Sequence, residues 1–399
     1  MVSSIINDDV DETININASK MEKLAPGNYE IVAWDMDTSG KRLYDEICHI
    51  AGYTPSTTFQ QYILPFNYMN YPATKRHNLK VITKGYYRML KNVKTHQILK
   101  TKSTILALKD FLTWLVKVKG ESDGIILIHH EARKINPAIL MNTLTKYNLL
   151  DEFCHIVKGF ANGFDITKAK CDNTIRYYSV RILSRVLLNE KKDTSSADVR
   201  ASMSYRILHH LSNGEVICQS EIIGNDVGKT KKRIFKFISE FIQPIDNEKN
   251  SFESLKVILD RQFSLKPIFI NENTTRRERR NITPLRRLLA ESKIDYQLLQ
   301  KAWNDNGQVK GVRELIEKNL LGHDEEKINN ISKIIEIYFT SEKLKGAIET
   351  LTSEITKKDK KNDEALEKIL KKMSGLAIVD SPKESGNKMS IDTGKQEII

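Results

Sequence analysis

The chain has 399 residues, enough for two domains and a tail and too many for one ordinary core. Its composition, 40% hydrophobic and 29% charged, reads as a soluble globular protein, and no stretch approaches the roughly 20 apolar residues that span a bilayer. The 63 Lys and Arg outnumber the 51 Asp and Glu by 12, which favours a polyanionic partner, either nucleic acid or a membrane surface.

The polar, acidic start of the chain lacks a basic segment leading into an apolar one, so residues 1–25 read as a disordered leader and not a signal peptide. Three runs follow, NYEIVAWDMD, LYDEICHIAGYT and TTFQQYIL, rich in β-branched and aromatic residues and separated by turn residues. This spacing predicts an antiparallel meander. TKSTILALKDFLTWLVKVK carries Ile105, Leu108, Leu112, Leu115 and Val116 on one helical face. Next come a buried strand (DGIILIHH), a helix opening at Pro137, a strand (FCHIVKGF) and two helices, YYSVRILSRVLL and ADVRASMSYRILHHLS. The alternation predicts a mixed α/β sheet over residues 26–245. KTKKRIFKFISEFI reads as an amphipathic helix with a basic face. Residues 246–281 read as an irregular connector, 282–342 as a small helical domain with its first helix from Pro284, and 343–399 as a charged helix with a disordered tail. Cys48, Cys154, Cys171 and Cys218 form no CxxC pair, so neither zinc ribbon nor disulfide framework is expected, and the compartment reads as reducing and cytoplasmic.

Two carboxylates, Asp35 and Asp37, close the first strand before a Thr-Ser-Gly turn. The run Asp35-Met36-Asp37-Thr38-Ser39-Gly40 resembles the first motif of the DEDD-type 3′–5′ exonucleases, usually D-x-E-T-T-G, with its second carboxylate one methylene shorter. In that family four carboxylates hold two metal ions about 3.5–4 Å apart. The remaining motifs depart from the pattern. Ile135 stands where the second motif places its metal-binding aspartate, Val199 in place of the catalytic histidine and Ser204 in place of the last aspartate. Asp35 and Asp37 are thus vestigial metal positions. A divalent ion held by two carboxylates alone stays mostly hydrated and weakly bound, unless Glu131 or Asp198 substitutes. No nuclease activity, no resident metal and no cofactor are expected.

The runs GNYEIVAWDMDTSGKRLYDEICHIAGYTPSTTFQQYILPF, KRHNLKVITKGYYRMLK, LKDFLTWL and SDGIILIHHEARK resemble the Exuperantia family of insect maternal-effect proteins, strongly over residues 25–212 and more loosely to about 339. The resemblance implies a catalytically degenerate ribonuclease-H-like exonuclease fold that dimerises, followed by an all-α SAM-like domain. It also implies mRNA binding in support of localisation in the oocyte and male germ line, within cytoplasmic ribonucleoprotein particles and with their transport components as partners. Its short C-terminal tail departs from relatives that carry a long basic one.

Gly224–Thr230 imitates a phosphate-binding loop but has three residues between its glycines where four are needed, so it reads as a turn. Adjacent histidines at 129–130 and 209–210 point to different faces and read as core or surface residues, not metal ligands. The densest basic text is Arg276, Arg277, Arg279, Arg280, Arg286 and Arg287, which with Lys293 against two acids gives +5 over residues 274–293. Arginine suits phosphate because its fork donates twice and stacks on bases. Further RNA-binding candidates are Lys229, Lys231, Lys232 and Arg233, and then Lys75, Arg76, Lys80 and Arg88, where tyrosines lie among the charges. The competing reading is a dimeric protein–protein scaffold of ribonucleoprotein granules without direct RNA contact.

Overall fold

The computed structural model describes residues 24–345 apart from 173, 214–226, 272–273, 306 and 321–324. The expected leader, the charged helix and tail beyond 345, and the first residues of the phosphate-loop imitation lie outside the described residues. The chain divides into two compact units, 1–298 and 299–399.

The three opening runs pair as the expected meander, β1 (Tyr29–Thr38), β2 (Ile47–Tyr53) and β3 (Thr58–Ile63). A short helix, α1 (Tyr71–His77), and a hairpin of β4 (Leu79–Lys84) and β5 (Tyr87–Asn92) follow, then β6 (Thr101–Lys102), α2 (Thr104–Lys119) and β7 (Gly124–His129). After α3 (Asn136–Lys146) come α4 (Leu150–Ile156), β8 (Val157–Asn162), α5 (Gly163–Lys170), α6 (Val180–Leu187), α7 (Ala197–Asn213), α8 (Val227–Ile238) and β9 (Ile242–Pro244). Seven strands form one mixed sheet in the order β6-β3-β2-β1-β7-β8-β9, with β7 parallel to both β1 and β8.

Period-two alternation decides which helix each strand residue meets. In β1, Val32, Trp34 and Met36 enter the core with Leu108, Phe111 and Leu115 of α2, Ile139 and Leu140 of α3, and Phe153 of α4. Ile31 and Ala33 enter the opposite core with Ala201, Tyr205 and Leu208 of α7 and Ile234 and Ile238 of α8. By the same parity Asp35 and Asp37 stand on the α7 side of the sheet, and that placement creates the site.

Three expectations are corrected. Residues 246–281 are not irregular: α9 (Ile245–Ser264) and α10 (Lys266–Phe269) occupy most of them, and Ile245, Phe252 and Leu255 are buried in the α2–α3 core. Proline at 244 precedes the helix and shapes its entry rather than breaking it. Phe153, Cys154 and His155 are helical, and the strand begins at Val157. The helix expected from Pro284 is α11 (Arg276–Glu291); a capping box between Thr275 and Glu278 starts it two turns earlier and leaves Pro284 in its interior.

The second unit opens within α12 (Tyr296–Asp305) and continues with the short α13 (Val309–Asn319) and a longer helical stretch over 325–345. Trp303, Val312, Ile316, Ile331, Ile335 and Phe339 are buried there, and the Trp303 and Phe339 rings stack at 5.4 Å. Among the described residues no helix is long and apolar enough to cross a membrane.

Candidate functional site

Asp35 and Asp37 end β1, Asp37 directly opposite His49 of β2. Both carboxylates are buried. The guanidinium of Arg200, in the first turn of α7, lies between them. Its Nε and Nη2 donate to the two Asp35 oxygens at 2.9 and 3.1 Å, and Nη2 also donates to Asp37 Oδ1 at 2.7 Å. The same Nη2 reaches the Met36 carbonyl at 3.2 Å. His77, the last residue of α1, places Nδ1 2.7 Å from Asp37 Oδ1, and His49 Nδ1 is 3.3 Å from Asp37 Oδ2. Burial alone would raise the Asp37 pKa, but Arg200 and His77 beside it, with hydrogen bonds from both histidines, hold it well below the usual carboxylate range. Burial likewise opposes the charge on Arg200, and the two aspartates more than offset it, raising its pKa above the ordinary value.

These residues do not fit a two-metal centre. A guanidinium fills the space between the carboxylates, and among the described residues no group of three His, Cys, Asp or Glu is placed to hold a metal ion. Ile135 is buried in the core just before α3, Val199 packs with the Val180–Leu183 cluster, and Ser204 is buried on α7. Glu131 is occupied as a helix cap: its Oε2 accepts from the Ile135 and Asn136 amides at 3.0 and 2.8 Å. Asp198 is hydrogen-bonded by Ser196 Oγ. His129 is a buried packing residue, its pKa pushed down to about 3 by burial, and His130 Nε2 meets the Tyr178 carbonyl at 2.6 Å.

Burial, with Asp35 nearby, raises the Glu131 pKa from 4.5 to about 6 although both amides favour the charged form. A folded-state pKa above the unfolded one contributes stability that is present below pH 4.5 and is lost as pH rises through 6. At neutral pH the ionised group therefore carries a penalty of about 2 kcal/mol. Glu131→Gln keeps an acceptor for the two amides and removes the charge, so denaturant unfolding at pH 7.5 should show equal or greater stability and a flatter pH dependence. Glu131→Ala should destabilise by about 1 kcal/mol, the ordinary loss for a cap. A Gln variant weaker than the Ala variant would refute the capping role.

Beside the carboxylates opens a cavity of about 630 Å³ lined by Lys75 and Arg76 of α1, Lys94 after β5, Arg181 and Arg185 of α6, and Lys191, Lys192, Asp193, Thr194 and Ser195 between α6 and α7. Seven cations face one carboxylate, and that one, Asp193, pairs with Lys94 at 2.8 Å. Arg181 and Arg185 stand one turn apart on the open side of α6, while Val180 and Leu183 turn inward. Burial and the neighbouring charges of Arg200 and Arg133 lower the Arg76 pKa, a sign of crowded positive charge. Arg200 joins the two features, since its Nη1 donates to the Thr194 and Ser195 carbonyls at 3.2 and 3.0 Å.

Lys75 and Arg76 are the sequence-predicted residues that this cavity brings together. Arg88 instead donates to the Pro65 carbonyl at 3.1 Å and lies over the Tyr68 ring, and Lys80 is exposed on β4. On α8, Lys231 pairs with Glu30 at 2.6 Å while Lys232 and Arg233 are exposed. On α11, Arg277 and Arg280 are exposed, Arg279 donates to the Thr274 carbonyl, Arg286 is buried and Arg287 pairs with Glu291. The Arg276 side chain lies outside the described residues. Sequence reasoning missed Lys94, Arg181, Arg185, Lys191, Lys192 and Arg200; the i, i+4 arginines opposite an apolar face were the one local signal for a basic surface.

The sequence matches the family model of the Exuperantia RNAse H-like domain over residues 29–187 and that of the Exuperantia SAM-like domain over 266–338. It is 31% identical to the maternal protein exuperantia of Drosophila virilis, an alignment that covers 89% of this chain and 81% of that protein. Maternal protein exuperantia-1 of Drosophila pseudoobscura pseudoobscura is also 31% identical, over 79% of this chain and 70% of the relative. Against maternal protein exuperantia of Drosophila melanogaster the identity is 46% over 179 residues, 44% of this chain and 34% of that protein.

Proposed function

The chain belongs to the Exuperantia family, with an RNase H-like domain followed by a SAM-like one, and from that premise we propose that it is a non-enzymatic RNA-binding adaptor. It binds mRNA, forms a homodimer and supports mRNA localisation in the germ line, within cytoplasmic ribonucleoprotein particles. The observation that carries this reading is the cavity of seven cations beside a carboxylate pair already ion-paired with Arg200. Cations in a concave site suit a sugar–phosphate strand, and carboxylates closed by arginine repel phosphate less and leave no room for the ions that would cut it. That the similar Drosophila chains are maternal proteins supports a role in the oocyte.

The full chain, mixed with labelled single-stranded RNA and Mg²⁺ or Mn²⁺, should bind the strand and leave it intact. Its affinity should fall steeply with salt, by about 0.7 or more on a log–log plot for each phosphate neutralised. Light scattering on the chain without RNA should report twice the monomer mass. Salt-insensitive or absent binding would favour the protein scaffold, and shortening of the RNA abolished by Asp35→Ala would restore the nuclease.

A further inference from the structure

The residues between α6 and α7, numbers 188–196, carry Lys191, Lys192, Thr194 and Ser195 to the cavity. They form no helix or strand of their own. Lys192 reaches Glu190 and Lys94 reaches Asp193 through largely exposed pairs that hold weakly, while the buried Arg206 pairs with Glu190 and ties the start of the segment. The tie at its other end is Arg200. One planar group bridges Asp35 and Asp37 on β1 and donates two further bonds to the Thr194 and Ser195 carbonyls.

We infer that the vestigial metal site has become an anchor: Arg200 takes the place of the divalent ion and uses the buried aspartates to fix the cationic segment 188–196 at the rim of the cavity. Arg200 is thus a positioning residue for the RNA site. The inference rests on the RNA-binding reading above.

The chemistry explains why arginine stands there. Five N–H donors spread over a rigid fork can satisfy carboxylates on one edge and carbonyls on the other at the same time. A lysine in the same place supplies the charge as a point and cannot span both sets. Arg200→Lys therefore preserves net charge and removes the anchor. Asp35→Asn separates anchoring from simple charge in the opposite sense. Deleting a carboxylate near a basic cavity should tighten RNA binding if through-space charge alone matters, and weaken it if the aspartate holds Arg200 in position.

The experiment measures binding of a labelled single-stranded oligoribonucleotide to the full chain, with Mg²⁺ or with EDTA, alongside amide hydrogen exchange over 188–196. The parent is expected to bind equally with and without Mg²⁺. Arg200→Lys and Asp35→Asn are each expected to bind several-fold more weakly, with faster exchange in 188–196. Parent-like binding and exchange in Arg200→Lys, tighter binding in Asp35→Asn, or Mg²⁺-dependent binding by the parent would each overturn the inference. If Arg200→Lys does not fold, the near-isosteric Asp35→Asn decides the matter. If the parent binds no RNA the functional proposal fails, and the exchange arm still reads whether the anchor exists.

Discussion

Asp37→Ala is expected to destabilise the first unit by about 3–5 kcal/mol, the range for breaking a buried ion pair from one side. Its carboxylate accepts from Arg200 at 2.7 Å and faces His77 and His49, and all of these groups are largely or wholly out of water. Alanine leaves the two histidines without their acceptor and Arg200 with Asp35 as its carboxylate partner. Because β1, β2, α1 and α7 each contribute one member, the loss should be felt across four elements and not as a local fraying. The effect has a defined pH window. The Asp37 pKa is depressed in the folded state, so its contribution is whole above the unfolded value near 4 and is lost as pH falls through the folded value. The parent should accordingly lose stability in acid more steeply than the variant, whose curve lacks this group. Denaturant unfolding from pH 7 down to pH 3 reads both effects; a neutral-pH loss below about 1 kcal/mol would show that the cluster is solvated.

Much of the fold was legible because burial on both faces leaves a strong signal. GIILIH, buried at every position in β7, and the apolar stripe of α2 match their sequence patterns. The reading failed where the signal was sparse. In α9 the residues buried in the core recur as Ile245, Phe252 and Leu255 in an otherwise polar text, because the helix lays only a narrow stripe on the sheet. Of the site, Asp35 and Asp37 were visible because strand-end carboxylates are a local pattern. Arg200 was not, since its meeting with Asp37 spans 163 residues and follows from the parity of β1 and the seating of α7. The cavity was invisible for a related reason: its cations come from α1, the end of the β4–β5 hairpin, α6 and the α6–α7 connection, none of which is the densest basic text. Local charge density pointed to α11, where Arg286 packs inward and Arg287 pairs with Glu291. Density along the chain measures concentration in one dimension, and a binding surface is concentration in three.

The second large effect is expected from replacing Arg181, Arg185, Lys191 and Lys192 together by serine. All four are exposed, and exposed substitutions away from the core usually change stability by about 0.5 kcal/mol or less, so the fold and the oligomeric state should be retained. Each cation removed leaves one phosphate without its partner. Affinity for single-stranded RNA should fall on the order of tenfold to a hundredfold at physiological salt, by a similar factor for unrelated sequences, because groups that touch only phosphate read little of the base sequence. The salt slope should flatten by up to about 0.7 for each phosphate no longer neutralised. The companion variant, Arg276, Arg277, Arg279 and Arg280 to serine, is expected to lose less, because Arg279 is already committed to the Thr274 carbonyl and none of the four lines the cavity. A salt titration of both variants beside the parent orders the two surfaces directly. Parent-like binding by the cavity variant, with a steep loss in the α11 variant, would move the RNA site to the arginine-rich helix and leave the cavity without a role in RNA binding.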